Sequence, residues 1–286
     1  MTEDTNAIHG YYSPTDLYGK IIDGLRILGK DLAAITLDDL QPVDEFHIRG
    51  HAATRELIQL SGFRADMHVL DVGCGIGGSS RRLAHEIGCR VTGIDLSEAY
   101  IDTARQLTRL LGLETRVAFQ AASALDLPFA ADRFEGAWSL QMNMNLQDKP
   151  AWLREVRRVL KPGGRLVLYE VCGGSRPDLV FPVPWAQDGT MSFLVPPHTL
   201  REQVVAAGFD IEIWQDITGL ARQAFASTRK PTGTPELPTL GVHLLVGNDI
   251  KTKAYNLRTN LELGAVSLIQ AVVVKPPEPG YTLAAK

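Results

Sequence analysis

Cysteine is scarce. Three thiols, Cys74, Cys89 and Cys172, are spread over 286 residues and form no Cys-x-x-Cys pair. That spacing speaks against a disulfide framework or a thiolate metal cluster, and it fits a reduced, cytoplasmic chain with small buried thiols. An excess of positive charge is also missing. The 29 Lys and Arg residues are outnumbered by 33 Asp and Glu, a net charge of −4. No basic face is expected, and nucleic acid is not an expected partner. No apolar run is long enough to cross a membrane, and the acidic start, Met-Thr-Glu-Asp-Thr, lacks the apolar stretch of a secretion signal. A membrane is therefore not expected as a partner either. His47 and His51 stand four apart, a spacing that can bind metal on a helix, but Gly50 lies between them and no third ligand accompanies them. No metal is expected. No internal repeat is visible, and the length suits one large domain or a core with a smaller lid.

What the chain does have is a dense signal at residues 67–96. His68–Val72 is a short apolar, β-branched run suited to a buried parallel strand. Gly73, Gly75, Gly77 and Gly78 then remove side chains where the backbone must turn tightly and let a ligand approach. Ser79–Ile87 has helical spacing, so the free N–H groups of its first turn point over the glycine turn. Arg90–Ile94 is the next strand, and Asp95 at its carboxyl end is placed to accept hydrogen bonds from both hydroxyls of a ribose. Two nucleoside cofactors fit so far. Gly73-x-Gly75-x-x-Gly78 satisfies the dinucleotide fingerprint of an NAD-dependent oxidoreductase. Asp71, two residues before the first glycine, is unwelcome beside a pyrophosphate and suits a ligand with a cationic amino group and no phosphates.

Asp71-x-Gly73-x-Gly75-x-Gly77 resembles motif I of the class I S-adenosylmethionine (SAM) methyltransferases. Lys161-Pro162-Gly163-Gly164, which stops a helix and turns into a strand, adds a pattern that NAD enzymes do not share. The resemblance is to the small-molecule methyltransferase type 11 group, whose surroundings include sarcosine/dimethylglycine, tocopherol and ubiquinone methyltransferases. It covers residues 45–172 firmly, and 197–217 and 264–276 weakly. It implies SAM as cofactor and S-adenosylhomocysteine (SAH) as product. It also implies that Asp71, Gly73, Gly75 and Gly77 face the methionine part, and that Asp95 and Leu96 hold the ribose. Ala122-Ser123-Ala124-Leu125-Asp126-Leu127-Pro128-Phe129 resembles the family's Gly-Asp-Ala-x-x-Leu-Pro-Phe. Ser123 stands where the family has the acid that contacts adenine, a weaker acceptor, and Ala124 can still serve the ring through its backbone N–H.

The remaining chain reads as α/β. Strands are expected at 116–120, 134–140, 165–171, 209–215 and 265–274. Helices are expected from Leu17 through Leu28, then at 52–60, 99–111, 150–160, 197–207, 217–228 and 239–263. The sum is a doubly wound, seven-stranded Rossmann-like methyltransferase sheet with a helical and loop lid. Residues 1–44 are expected to be an N-terminal helical lid segment. Residues 45–276 are the expected methyltransferase domain, with substrate-lid insertions at 173–196 and 218–262, and 277–286 are a tail.

Methyl transfer from a sulfonium is an in-line displacement, so the enzyme must align the acceptor and exclude water. A base helps when the acceptor is a hydroxyl or a protonated amine. His47 is the candidate base. Tyr12 and Gln141 are candidate cofactor contacts; Tyr11, Arg49, Asn143, Asn145, Glu170 and Trp185 are candidate substrate contacts. A pocket walled by the tyrosines, Trp185, residues 141–145 and the 218–262 helices favours a small, uncharged or cationic acceptor over a polyanion. A SAM-binding protein that does not transfer methyl would share the same cofactor residues, and the acceptor atom has no motif of its own.

Overall fold

The computed structural model describes residues 10–12, 14–233 and 236–277. The rest of the expected N-terminal segment, residues 234–235 of the expected linker and tail residues 278–286 lie outside the described residues. Seven strands form one sheet: β1 (His68–Val72), β2 (Arg90–Asp95), β3 (Val117–Ala121), β4 (Phe134–Leu140), β5 (Leu160–Gly173), β6 (Asp210–Asp216) and β7 (Val266–Val274). Their order is β3-β2-β1-β4-β5-β7-β6. The pairs from β3 to β5 are parallel, and β7 runs antiparallel to both β5 and β6.

The strands read as continuous apolar runs because both faces of the sheet are covered. Successive side chains point to opposite faces. Val69 and Val167 join one core with Trp138 and Tyr169, while their neighbours Leu70 and Leu166 join another. The first core is closed by α3 (Gly50–Ser61) through Leu57 and by α4 (Gly78–Ile87) through Leu83. The second is closed by α6 (Lys149–Val159) through Trp152 and Val156, and by α7 (Pro197–Ala206) through Val204.

Two helices precede α3. In α1 (Leu17–Ile27), Leu17, Ile21, Ile22 and Leu25 are buried with Leu107 of α5 (Glu98–Leu110). Asp16 caps α1 by accepting from the Gly19 N–H. Leu28, expected on the inward face, is 51% exposed, because the helix has already ended at Ile27. The second, α2 (Leu37–Asp44), is bound to α4 by a buried ion pair between Asp44 and Arg81 at 2.6 Å.

After β6 come α8 (Thr218–Phe225), α9 (His243–Val246) and α10 (Ile250–Leu263). The long helix expected at 239–263 is thus two. Gly247, at φ 100°, breaks it, and Asp249 stands at the start of the second piece. Strand β5 begins earlier than expected. Lys161–Gly164 bulge out between the pairs Phe134–Leu160 and Gly136–Arg165, with Gly163 at φ 77°.

The chain runs outward from β1 to β2 to β3, then returns to place β4 on the other side of β1. That reversal opens a crevice outside the carboxyl ends of β1 and β4, where an open parallel sheet receives its ligand.

Candidate active site

The site begins at the glycine turn after β1. Gly73 and Cys74 both donate their N–H to the Ile94 carbonyl, at 2.8 and 2.9 Å, fastening the turn to the end of β2. Gly75 has φ +55°, and a Cβ there would meet nothing within 4 Å. Its missing side chain leaves room for a ligand against bare backbone. Gly77 is glycine for another reason: a Cβ would lie 2.3 Å from the Phe119 ring. It does not line the cavity, so its role at this turn is packing rather than ligand contact.

Asp95 is fixed by the same turn. One carboxylate oxygen accepts from Gly75 N–H and the other from Ser97 N–H, each at 2.9 Å. Burial raises its pKa, and these backbone N–H groups oppose the rise. Each oxygen keeps a lone pair for a ribose hydroxyl.

Around this turn lies a cavity of about 430 Å³. Asp95, Leu96, Ser123 and Ala124 line it at the ends of β2 and β3. Gly73, Gly75 and Gln141 line it at β1 and β4, and His47, Tyr12 and Asn145 beyond them. Ser123 Oγ already accepts from the Leu125 N–H at 3.1 Å. Gln141, at φ 53°, accepts from Ile48 N–H at 3.1 Å, and its buried Nε2 has no partner among the described residues.

Tyr12 and Asn145 meet across the wall. The Tyr12 hydroxyl donates to Asn145 Oδ1 at 3.2 Å. Asn145 Nδ2 donates to the Trp185 and Met191 carbonyls at 3.0 and 2.8 Å. Its amide is therefore committed to the protein.

His47 is held from behind. Its Nε2 lies 3.1 Å from the Gly50 carbonyl and 3.1 Å from Thr54 Oγ1, which in turn donates to Glu45 at 2.7 Å. A carbonyl only accepts, so the proton sits on Nε2 and Nδ1 is the nitrogen free to take one. Burial lowers the His47 pKa, with Glu45 and the Gly50 carbonyl opposing, which keeps the ring neutral near pH 7.

Several expected residues stand outside the cavity wall. Asp71 is buried, and its carboxylate accepts from Ser79 and Ser80 hydroxyls; burial pushes its pKa up to about 6. Tyr11 donates to the Pro184 carbonyl at 3.1 Å and lies under Lys253. Arg49 makes a two-pronged pair with Glu56 at 2.8 and 2.5 Å. Asn143 is fully buried, and neither its amide nitrogen nor its amide oxygen has a partner among the described residues. Glu170 accepts from Ser139, from Met142 N–H and from Asn143 N–H. Trp185 is a core residue, 2% exposed, whose indole N–H donates to Ser192 Oγ. In each case the polar group is used by the protein or sealed from the cavity. Among the 218–262 residues only Leu245 reaches the wall, because α8 and α10 pack on each other and on β7.

The sequence reading missed Phe46, Phe193, Leu245 and Tyr100 of the wall. They come from four separate segments, and no local spacing marks them. Among the described residues no group of three or more His, Cys, Asp or Glu could hold a metal.

The wall fits SAM: bare backbone at Gly75, a ribose acceptor at Asp95 and a turn without phosphate-binding side chains. A family model described as a methyltransferase domain matches residues 69–164. Over 209 residues, 72% of this chain and 72% of the relative, the chain is 32% identical to the methyltransferase GfsG of Streptomyces halstedii. Among solved structures it is similar to geranyl diphosphate C-methyltransferase from Streptomyces coelicolor A3(2), in complex with Mg2+, geranyl-S-thiolodiphosphate and SAH. The TM-score is 0.68 at 18% identity, covering 96% of this chain and 98% of that one. It is also similar to the [4+2]-cyclase SpnF, with TM-score 0.63 at 24% identity, covering 93% and 97%. At such identities both structures speak to the fold alone.

Proposed function

Since the chain belongs to the SAM-dependent methyltransferases, we propose that it methylates a hydroxyl of a small molecule, with His47 as general base. The observation that carries this reading is His47 itself: a buried, neutral imidazole on the cavity wall, its Nε2–H committed to the Gly50 carbonyl. When bound, SAM supplies a methyl group already activated on a sulfonium. Asp95 and Leu96 hold the ribose, Ser123 and Ala124 the adenine, and Gly73, Gly75 and Gln141 the methionine part. His47 Nδ1 takes the hydroxyl proton, and the Glu45 carboxylate, 3.7 Å from Nε2, steadies the imidazolium that results.

The same reading keeps residues 1–44 as a lid segment on a domain of residues 45–276, with further lid stretches at 173–196 and 218–262. The bond from Tyr12 to Asn145, and the presence of Phe193 and Leu245 in the wall, support it. A cytoplasmic location belongs to the proposal as well, supported by three free thiols. No described helix is long and apolar enough to cross a membrane.

The test is a metabolite screen with methyl-labelled SAM, followed by His47→Gln on the acceptor found. The expected result is an O-methyl product and a turnover lowered about 10²–10⁴-fold in the variant, with SAH affinity within about twofold. An unaltered kcat in His47→Gln removes the base, and an N- or C-methylated product removes the hydroxyl.

A further inference from the structure

The wall says something about the charge of the acceptor. The ends of β2 and β3 belong to ribose and adenine, so the acceptor lies toward β4, beside His47, Phe46, Met144, Phe193 and Leu245. No lysine or arginine is among the described residues of this wall. In the sequence, the first such residue after the N-terminus is Lys20.

The buried cations near the site are all committed elsewhere. Arg81 pairs with Asp44 and donates to the Ile76 carbonyl. Lys149 donates to the Leu146 and Phe193 carbonyls. Lys253 pairs with Asp249 and donates to the Val246 carbonyl. Arg49 is clamped by Glu56.

Helix N-termini could take an anion instead, but here they are already met by carboxylates. Three helices bring their starts to the wall through Ser79, Tyr100 and Asp148. At α4, Asp71 accepts from Ser79 and Ser80. At α5, Asp95 accepts from Ser97 N–H, and at α6, Asp148 accepts from Ala151 N–H. A phosphate or carboxylate on the acceptor would be buried without a partner.

A cationic acceptor fares no better. The wall has three carboxylates, and each is occupied: Asp44 by Arg81, Asp95 by the glycine turn, Asp148 by its own helix. We propose that this enzyme's acceptor is a neutral, apolar molecule that presents a hydroxyl and carries neither an anionic nor a cationic group. The proposal rests on the hydroxyl reading above and narrows it.

Three probes with one ring system test it on the full chain: 1-naphthol, 1-naphthyl phosphate and 1-naphthylmethylamine. SAH is titrated first by calorimetry. Failure of SAH to bind would sink the cofactor site on which the proposal rests. On the SAH-saturated protein, 1-naphthol is expected to bind at least tenfold more tightly than either charged probe. A phosphate or amine probe that binds as tightly as 1-naphthol, or 1-naphthol failing to bind at all, overturns the neutral acceptor while leaving the cofactor site standing.

Discussion

Asp95 has two oxygens, each holding one backbone N–H of the protein and each with one lone pair left. Two vicinal hydroxyls of a ribose match what remains. Asp95→Ala should therefore weaken SAM by about 1–3 kcal/mol, from the loss of charge-assisted hydrogen bonds. Calorimetry checks this, and an unchanged Kd would show that Asp95 serves only the turn. Asp71 shows where reading residues from a motif stops. Its identity and position match the family, but Ser79 and Ser80, one turn of chain later, claim its carboxylate first. Sequence gives the spacing of a polar group; which neighbour reaches it first depends on how α4 seats on β1. Ser123 differs: it lies in the cavity where the adenine resemblance puts it, while its hydroxyl also accepts from Leu125 N–H.

The element that shapes the acceptor side is the loop between β4 and α6, and buried charges bracket it at both ends. Glu170 accepts the N–H groups of Met142 and Asn143, and Lys149 donates to the Leu146 carbonyl. Burial pushes Glu170 up to about 7, with Ser139, the loop N–H groups and Lys149 opposing, and pushes Lys149 down to about 8. The folded chain thus holds the Glu170 proton more tightly than the unfolded chain does. Its contribution to stability is complete below pH of about 4.5 and is lost as pH rises through about 7. A shift of that size corresponds to roughly 3 kcal/mol. Glu170→Gln removes this titration and keeps an acceptor for the loop. Between pH 5 and pH 8 the variant's melting temperature should fall less than the parent's, by several degrees. Equal falls would mean that Glu170 is charged at little cost. The elements themselves were legible to different degrees. The β1, β2 and β4 runs stood out because both faces of the sheet are buried. Helix α2 did not, although Thr36 and Asp39 cap it reciprocally, because its eight residues carry only a short apolar stripe.

On the scale of the whole molecule, one amide joins segments that are far apart in the chain. Asn145 accepts from Tyr12 in the N-terminal stretch and donates to the carbonyls of Trp185 and Met191 in the stretch after β5. Ser97 Oγ ties the Tyr12 carbonyl to the start of α5, beside the Asp95 turn. The aromatic wall that sequence reading expected at Trp185 is thus realised one step removed. Trp185 fills the core, and its backbone carbonyl, fixed by Asn145, helps position the roof. That arrangement depends on long-range contacts, which local periodicity does not encode. If the roof closes as one unit, the Tyr12 and Asn145 contributions to cofactor binding are coupled rather than separate. Tyr12→Phe removes only a hydroxyl and should weaken SAH binding by about 0.5–1.5 kcal/mol in the parent. In an Asn145→Ala background, where the hydroxyl has already lost its acceptor, the same change should cost almost nothing. A double-mutant cycle on the SAH dissociation constants measures this directly. Additive losses would show that Tyr12 reaches the cofactor without Asn145, and that the N-terminal stretch and the stretch after β5 close over the cavity independently.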